Sequence, residues 1–377
     1  MDVNATALPL APEVRLAAHD WRAFQTPAQV ARWHALAELA AEPNPFHEPW
    51  FLLPALRAFD PAATVSLLCL EVDGQLAGLL PLRREASYYG HPLPHWQGWQ
   101  HPNAFLGTPL IAAGHEALFW RELLAWCDHH AGTGLFLHMA QIPAHGPVWA
   151  ALAAALGRRP AATVSREERA MLRSDLAPDE YLEQSLSGKK RKELRRQHRR
   201  LADEGELTIE RPAGEEYLAA WTREFLVLER SGWKGAAGSA LACDPRTESL
   251  FSEALAGAAR RGRLDRLAIR LDGKPIAMLA SFICPPGAYS FKTAFDEDYA
   301  RYSPGVLLQR ENLSALSHPK VEWVDSCAAA DHPMIDHFWR ERRTVVRLSI
   351  GIGGALRRSA FRLIAARETR GSTGKPA

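Results

Sequence analysis

The feature that most constrains the fold of this chain is the pattern of residues 270–312. An apolar run over residues 275–283 stops at a Pro-Pro-Gly turn, and a second run follows in which apolar and polar residues alternate. A short acidic loop then leads to Pro304 and Gly305, which are typical of the first turn of a helix. The pattern therefore predicts a strand, a turn, a second strand, a loop and a helix, in that order.

The start of this helix is a candidate anion site. Backbone N–H groups in the first turn of a helix have no intrahelical partner, and they lie at the positive end of the helix dipole. A phosphate group is a typical ligand of such donors. A simpler interpretation is that Ser303 caps the helix and Pro304 takes its first position. The stretch alone leaves both interpretations open.

A repeated hairpin pattern predicts an internal duplication. Residues 65–72 and 75–82 are apolar runs joined by an Asp-Gly pair, which is a strong signal for a two-residue hairpin turn. A second Asp-Gly pair, at 272–273, repeats the arrangement about 200 residues later. Two such hairpins fit a duplicated fold better than one large domain.

Composition and cysteine usage narrow the class of protein. The 377 residues are enough for two or three domains, and 47% hydrophobic with 23% charged residues is ordinary for a globular chain. The five cysteines are scattered without a Cys-x-x-Cys pair, so neither a zinc site nor a disulfide framework is predicted. The chain start lacks a signal-peptide pattern and no apolar run is long enough to span a bilayer, so we expect a cytoplasmic protein.

Two segments concentrate positive charge. Residues 189–200 hold eight Lys or Arg and one Glu, in a segment that favours a helix capped by Ser187. Such a run is usually a solvated helix face, but its charge density also fits an anionic partner such as nucleotide phosphates, lipid headgroups or RNA. Residues 340–370 hold nine Arg and two Glu. They are interpreted as a final strand with a disordered basic end, or as including a basic amphipathic helix after Gly354 that touches an anionic membrane surface.

The segment at residues 88–107 is rich in Gly, Pro, His and Trp. Aromatic faces with polar edges of this kind can bind a sugar. Its histidines, His91, His95 and His101, are irregularly spaced and have no carboxylate or thiol nearby in the sequence, so no metal site is predicted. The alternative is a surface loop packed by its own aromatic residues.

A candidate general base lies near the end of the chain. Residues 321–325 form a short predicted strand that ends in Asp325, and the following loop carries Asp331 and His332. A carboxylate at a strand end, followed by a loop with a histidine, is a suitable arrangement for proton transfer. Asp325 and His332 are therefore the predicted catalytic residues.

The segment YSFKTAFDEDYARYSPGVLLQ at residues 289–309 resembles the second half of proteins in the GNAT acyltransferase superfamily. More narrowly, it is similar to the CelD-like group, which takes its name from cellulose and exopolysaccharide biosynthesis and is related to the Fem peptidyltransferases. The resemblance spans roughly residues 20–345 and is most specific at 186–201, 233–235 and 289–309.

This resemblance implies an α/β (α+β) fold of two tandem GNAT-like domains, each a mixed twisted sheet flanked by helices. The implied division is an N-terminal extension at 1–20, a first domain at 21–180, a second domain at 181–345 that carries the active site, and a basic C-terminal tail at 346–377.

The resemblance also implies where the two substrates bind. The donor pyrophosphate is expected at the helix start described above, and the residues of this cofactor site are Arg301, Tyr302, Ser303, Pro304, Gly305, Val306 and Leu307. The Trp-Lys-Gly segment at 233–235 is similar to an active-site loop, and the residues expected to contact the acceptor are Trp233, Lys234, Tyr289, Lys292 and Asp296. The sequence departs from the family pattern in two segments. The usual Gln/Arg-x-x-Gly-x-Gly/Ala phosphate loop is only partly preserved at 301–306, and Phe-Trp-Arg-Glu-Arg-Arg at 338–343 stands where a Lys-x-x-Trp or similar segment is usual.

The function that follows is an acyl-CoA-dependent N- or O-acyltransferase acting on a cell-envelope or exopolysaccharide-related acceptor. The co-substrate is acetyl-CoA or another acyl-CoA, and direct transfer needs positioning, a base and oxyanion stabilisation without a metal. The Fem relationship implies an alternative with an aminoacyl-tRNA donor, in which the basic helix at 189–200 holds RNA phosphates. A third hypothesis is a non-catalytic GNAT-like scaffold of a glycan synthesis complex. Apart from tRNA, no nucleic-acid partner is expected.

Overall fold

The computed structural model describes residues 12–332, 334–336 and 338–372. The outer ends of the predicted N-terminal extension and C-terminal tail, residues 1–11 and 373–377, lie outside this part of the chain. The described residues form one mixed β-sheet of thirteen strands with helices packed on its faces, so the predicted α/β class is confirmed.

The first half of the chain contributes seven strands and four helices. In chain order they are β1 (Val14–Asp20), α1 (Pro27–Leu39), α2 (Pro49–Phe59), β2 (Ser66–Val72), β3 (Gln75–Glu85), β4 (His95–Gly98), β5 (Leu110–Ile111), α3 (Glu116–His129), β6 (Phe136–Pro143), α4 (Pro147–Leu156) and β7 (Ala161–Leu172).

The second half contributes the remaining helices and strands. They are α5 (Pro178–Ser185), α6 (Gly188–Ala202), β8 (Leu207–Glu210), α7 (Leu218–Ser231), α8 (Trp233–Ala236), α9 (Pro245–Arg260), β9 (Leu264–Leu271), β10 (Lys274–Cys284), β11 (Gly287–Phe295), α10 (Pro304–Asn312), β12 (Trp323–Asp325), β13 (Glu341–Gly351) and α11 (Ala355–Ser372).

The order of the strands shows the duplication that the two Asp-Gly hairpins predict. The sheet runs β1-β2-β3-β4-β6-β13-β7-β12-β11-β10-β9-β8, with β5 attached to β3. From either edge inward, three antiparallel pairings lead to one parallel pairing, β4 with β6 in the first half and β11 with β12 in the second. The two halves therefore repeat one strand arrangement.

The two halves exchange their last strands in the middle of the sheet. Strand β7 is the last strand of the first half but pairs with β12 of the second. Strand β13 is the last strand of the second half but pairs with β6 of the first. The two exchanged strands also pair with each other along almost their whole length. This exchange joins the halves through continuous backbone hydrogen bonding.

Residues 341–372 form a strand followed by a helix, so the helix expected after Gly354 is present. The boundary predicted between residues 345 and 346 falls inside β13, and α11 packs against β7 and β13. The ring of Phe361 on α11 is only 2% exposed and contacts Phe136 of β6. Strand formation is favoured because Val345, Val346 and Leu348 pack into the sheet core between the arginines.

The Asp-Gly turns have the backbone geometry that their sequence requires. Asp73 and Gly74 have φ of 49° and 75°, and Asp272 and Gly273 have φ of 50° and 78°. Positive φ at both central residues defines the hairpin turn that matches the twist of the flanking strands, and Asp-Gly adopts it at low cost. Both predicted hairpins are confirmed, as β2–β3 and β9–β10.

One hydrophobic core crosses from the first half into the second. It includes Phe51 of α2 together with Phe251 of α9 and Phe291 of β11. Helices α2 and α9 pack so closely that a Cβ on Gly257 would lie 2.7 Å from the Cβ of Trp50. Burial of these large side chains, each contributing on the order of 1.5–3 kcal/mol, holds the two halves in register. Across the described ranges, no helix has both the length and the apolar character needed to cross a bilayer.

Candidate active site

The candidate site begins where strand β11 extends past its parallel neighbour. Strand β12 pairs with β11 only at Gly287, Ala288 and Tyr289, and β11 then continues to Phe295 while β12 ends. The carbonyl of Thr293, beyond the paired part, accepts a hydrogen bond of 3.0 Å from Lys234 Nζ. Past the end of β12, at the opening between the two strands, the edge of β11 is therefore hydrogen-bonded by a side chain, where a neighbouring strand would otherwise pair with it.

Lys292 lies at this opening and is the most unusual titratable group there. Its Nζ is 5.2 Å from the centre of the Phe105 ring and 5.6 Å from that of Phe291, and it has no hydrogen-bond or carboxylate partner among the described residues. Burial, and next the positive charge of Lys234, lower the pKa of Lys292 to about 8. A lysine with this pKa can take up and release a proton near neutral pH.

Lys234 is fixed beside it by Glu229, a residue that the sequence analysis did not select. The Glu229 side chain is almost fully buried; one carboxylate oxygen accepts from Lys234 Nζ at 2.8 Å and the other from the Leu241 N–H at 2.8 Å. The five-residue spacing between Glu229 and Lys234 matches no catalytic motif, so only the structure shows the pair. Trp233 points away, 58% exposed, with its N–H donating to Glu297.

Asp325 is placed differently from the predicted general base. The residue is 0% exposed, and one carboxylate oxygen accepts from Arg169 at 2.6 Å and from Arg343 at 2.8 Å, while the other accepts from the Cys327 N–H at 2.9 Å. Burial alone would raise the pKa of Asp325, but the two guanidinium charges outweigh it and the pKa is lowered. This burial and these partners favour a structural ion pair over a catalytic base, and the catalytic role of Asp325 stays a prediction.

His332 is better placed than Asp325 for proton transfer. Its ring is half-buried, and its Nδ1 has no hydrogen-bond partner among the described residues. Burial, and next the positive charge of Lys234, lower the pKa of His332. The ring is therefore neutral at physiological pH, so it remains a candidate base.

Two predicted acceptor contacts are occupied by other parts of the protein. Tyr289 is 0% exposed, and its hydroxyl donates to the Pro43 carbonyl at 2.6 Å, a bond between the two halves. Asp296 is buried and accepts from Lys274 Nζ at 2.8 Å and from the Asp298 N–H at 3.1 Å. Both side chains support the fold, and neither faces an open cleft.

The predicted anion site at the start of α10 has fewer free donors than expected. Pro304 has no N–H, and Val306 and Leu307 both donate to the Ser303 carbonyl. Ser303 itself has φ of 53°, and its side chain makes no capping bond but accepts from the Gln197 amide at 3.2 Å. The simple N-cap interpretation is thus correct for Pro304 and wrong for the Ser303 side chain.

Neighbouring side chains also shield this turn. A Cβ on Gly305 would lie 2.6 Å from the Met334 Sδ, so the loop after β12 covers it. Arg301, expected to help bind phosphate, forms an ion pair with Glu204 at 3.1 Å, and the hydroxyl of Tyr302 donates to the same carboxylate. A phosphate at this turn would need Met334 to move aside and would compete with Glu204 for Arg301.

Helix α6 presents the basic surface that the sequence predicts. Ser187 caps it by accepting from the Lys190 N–H at 3.4 Å, and Leu194 and Leu201 face the core. Six of its cations are exposed and form no ion pair within the described part of the chain: Lys189, Lys190, Lys192, Arg195, Arg199 and Arg200. The Gln197 contact with Ser303 places this surface next to the start of α10.

Comparisons with known proteins agree with this architecture. Residues 188–333 match the family described as an acetyltransferase (GNAT) domain. The crystal structure of FemX is similar with a TM-score of 0.55 and 11% identity, over 89% of this chain and 98% of that one. A conserved protein of unknown function from Bacteroides thetaiotaomicron gives a TM-score of 0.57 at 10% identity, over 89% and 100% of the two chains. The C-terminal domain of a proposed lysylphosphatidylglycerol synthetase from Agrobacterium fabrum gives 0.51 at 14% identity, over 90% and 95%. A search among curated proteins finds no significant match.

These similarities define the class of fold. The chain is a mixed α/β protein, and residues 188–333 in its second half match a GNAT domain, which supports the resemblance at the level of the superfamily. Identities of 10% to 14% establish the fold of the structural relatives and nothing finer. The CelD-like subgroup stays a prediction.

Proposed function

We propose that this protein transfers an acyl group directly from an acyl-CoA thioester to an amine or hydroxyl acceptor. The observation that supports the proposal best is Lys292, a partly buried amine with a pKa of about 8 at the opening between β11 and β12. It lies within the segment that matches an acetyltransferase (GNAT) domain. Because a thioester is already activated, positioning and one well-placed base account for most of the required chemistry.

Lys292 carries the proton in this reaction. Its neutral amine takes a proton from the acceptor as the acceptor nitrogen or oxygen bonds to the thioester carbonyl carbon. The carbon–sulfur bond then breaks, and the CoA thiolate takes the proton back from the Lys292 ammonium. Lys234, held by Glu229, keeps the neighbouring positive charge that depresses the pKa of Lys292. His332 is the second candidate for this proton transfer.

The donor phosphates bind, in this proposal, at the first turn of α10 beside the basic surface of α6. The exposed cations of α6 supply the charge that the turn lacks, because Val306 and Leu307 have their N–H groups occupied. Met334 must move away from Gly305 before a pyrophosphate can reach the backbone there. The departure from the usual phosphate loop is consistent with phosphate binding that depends more on side chains than on backbone.

The first experiment measures thermal unfolding with CoA, acetyl-CoA and longer acyl-CoAs. A ligand at a hundredfold excess over its dissociation constant stabilises the folded state by about 2.7 kcal/mol, which is a clear shift in melting temperature. Gly305→Val should lose that shift, because its side chain occupies the approach to the turn. Gly188→Val, at the exposed start of α6 with no atom near its Cβ position, is the matched control. The absence of a shift with every CoA thioester would reject an acyl-CoA donor.

The second experiment tests the base through the pH dependence of CoA release. Wild-type turnover should rise with pH and level off above about 8, since only the neutral Lys292 amine accepts a proton. Lys292→Met should keep the melting shift with acyl-CoA and lose turnover by about 10²–10⁴-fold. If Lys292→Met kept the wild-type rate and pH profile, Lys292 would not be the base, and His332 would be the remaining candidate.

We further propose a cell-envelope or exopolysaccharide-related acceptor, in keeping with the CelD-like resemblance, and contact with an anionic membrane through α11. Leu356 and Leu363, one face of α11, are 89% and 76% exposed. Arg362 and Arg367 are exposed on the same helix. Leu356→Ser with Leu363→Ser should reduce sedimentation with anionic vesicles and spare the fold, since Phe361 keeps the helix packed. Equal sedimentation would reject membrane contact.

An aminoacyl-tRNA donor is the second candidate, and the six exposed cations of α6 that have no ion-pair partner among the described residues favour it. A phosphate backbone needs a wide basic surface, whereas a single CoA needs only a few of these charges. Binding of bulk tRNA at low salt, with a steep loss of affinity as salt rises, would support this donor. No binding at low salt would exclude it. A non-catalytic scaffold would show turnover with neither donor.

A further inference from the structure

A polar cavity in the first half of the chain lies beside the candidate active site. Its volume is about 410 Å³, within the range of small-molecule sites, and it is bounded by the segment after β3, the loop after β4, strand β6 and strand β13. Phe105 lines it, and the same ring lies 5.2 Å from Lys292 Nζ. The cavity and the proposed proton carrier therefore share one side chain.

Three buried polar atoms in the walls of this cavity have no hydrogen-bond partner among the described residues. They are Gln100 Nε2, His101 Nε2 and Gln141 Oε1. His101 is 9% exposed, and its Nδ1 accepts from the Asn103 N–H at 3.3 Å, so in the neutral ring the proton is on Nε2. Burial lowers the pKa of His101 to about 3 and keeps it neutral. Residues that line the cavity thus hold two donors and one acceptor without a partner among the described residues, each buried just behind the cavity surface, and hydroxyl groups can pair with such a set because they both donate and accept.

Two non-glycine residues with positive φ line the same cavity. Gln141 has φ of 53° at a bulge in β6, where residues 140 and 141 lie opposite Arg347 of β13. Tyr89, which also lines the cavity, has φ of 46° and is 65% exposed. Positive φ is costly for residues other than glycine, and such strain is common at ligand-binding sites. The bulge places Gln141 among the residues that line the cavity, at the expense of backbone stability.

The charged side chain that lines the cavity is positive. Arg347 lines it and donates to the Tyr89 hydroxyl at 3.1 Å, but it forms no ion pair with any residue that the structure describes. None of the described lining residues is an Asp or a Glu. The ring of Tyr89, 65% exposed and set edge-to-face against the buried Tyr88 ring with centres 4.6 Å apart, supplies an aromatic surface against which a sugar ring can pack.

From these observations we infer that the cavity binds a sugar residue that carries a negative charge, its hydroxyls on Gln100, His101 and Gln141 and its anionic group on Arg347. Its position beside Lys292 makes this sugar part of the acceptor, a step that rests on the proposed acyl transfer; the binding itself does not. The anionic group can be a carboxylate or a phosphate, and both pair well with a guanidinium.

Saturation-transfer NMR on the full chain, without any acyl donor, tests the binding. The probes are glucose, glucuronic acid and glucose 6-phosphate. We expect transfer to at least one charged sugar and at least tenfold weaker binding of glucose. Arg347→Met should abolish that preference, and comparison of the two charged probes identifies the anionic group. No transfer to either charged sugar, or equal binding of glucose, would overturn the inference.

Gln141→Gly separates loss of binding from loss of fold. Glycine adopts positive φ without strain, so the melting temperature should stay equal or rise while the affinity for the charged sugar falls at least tenfold. His91→Ala, an exposed residue of the same segment outside the cavity, is the matched control and should bind normally. Unchanged affinity in Gln141→Gly would place the sugar elsewhere and overturn the assignment. Sugar binding without any response to acyl-CoA would reject the transfer reaction and leave the cavity's role intact.

Discussion

Lys292 of the second half and Phe105 of the first half meet with 5.2 Å between the ammonium nitrogen and the ring centre. The candidate site is therefore assembled from both halves of the chain. The exchange of β7 and β13 joins the two halves that contribute these residues, because each exchanged strand is hydrogen-bonded into the sheet of the other half.

Lys292 should lower the stability of the protein at neutral pH. Its pKa is about 8 in the folded state and 10.5 ordinarily, so the unfolded chain binds more protons between these values and stability rises with pH there. Below pH 8 the cost of holding the charged amine in its site is fully present. Lys292→Met should therefore raise the free energy of unfolding by about 3 kcal/mol at most at pH 7.

Urea denaturation from pH 7 to pH 10 measures this effect. The gain in Lys292→Met over wild type should shrink as the pH passes from 8 towards 10.5. Lys320→Met, on the exposed loop before β12, is the control. It should change neither the free energy of unfolding nor its dependence on pH. If the difference in unfolding free energy between Lys292→Met and wild type stayed constant across this pH range, the pKa of Lys292 would not be lowered in the folded state.

Asp325→Asn should be strongly destabilising. The substitution leaves Arg169 and Arg343, 6% and 5% exposed in their side chains, without their common carboxylate. Removing one partner of a buried ion pair typically costs about 3–5 kcal/mol. Glu193→Gln, which breaks the exposed pair with Arg196, is the control and should leave stability essentially unchanged.

The pH dependence gives this prediction a second readout. The folded-state pKa of Asp325 is lowered, so its contribution is fully present above the ordinary pKa of an aspartate and is lost as the pH falls through the folded value. Acid denaturation should therefore narrow the gap between wild type and Asp325→Asn. Similar stability of the two proteins at pH 7 would show that the carboxylate is not structural.

The sequence predicts those elements of this fold that depend on local patterns. Both Asp-Gly hairpins, the strand–turn–strand before α10 and the capped basic helix follow from residues next to each other in the chain. The exchange of β7 and β13 does not, because nothing local in residues 341–351 specifies which strand they will pair with. The predicted division at residues 345 and 346 cuts this strand for that reason.

Individual residues of the candidate site are also hard to predict from local sequence, because their environment depends on distant partners. Asp325 matches the pattern of a base at a strand end, but its partners Arg169 and Arg343 lie 156 and 18 residues away in sequence. Lys292 was predicted to contact the acceptor, and its unusual pKa depends on burial and on Lys234, neither of which its neighbours in sequence reveal. Charge pairing across the fold decides which polar residues are free to react.

Gly235→Ala should disturb the loop that positions Lys234. A Cβ at Gly235 would lie 1.7 Å from the Arg230 carbonyl oxygen, a backbone atom that cannot move without unwinding the end of α7. We expect a loss of about 1–3 kcal/mol, as for other overpacked sites, and lower turnover because Lys234 shifts. Gly188→Ala is the control, because no atom lies within 4 Å of a Cβ at this position. It should keep wild-type stability and turnover. Full stability and activity in Gly235→Ala would contradict this close contact.

Neutralising the exposed face of α6 should weaken binding of polyanions without affecting the fold. Lys189, Lys192 and Arg195 are exposed and form no ion pair with any residue of the described ranges, so changing all three to Gln removes charge and no packing. If tRNA is the donor, the slope of log affinity against log salt should become less steep by about 2, since each lost phosphate contact removes roughly 0.7–0.9. Arg121→Gln on α3, far from this face in the first half, is the control. An unchanged slope in the triple variant would place the RNA, if bound at all, on another surface, and the basic helix would then serve only as a solvated face.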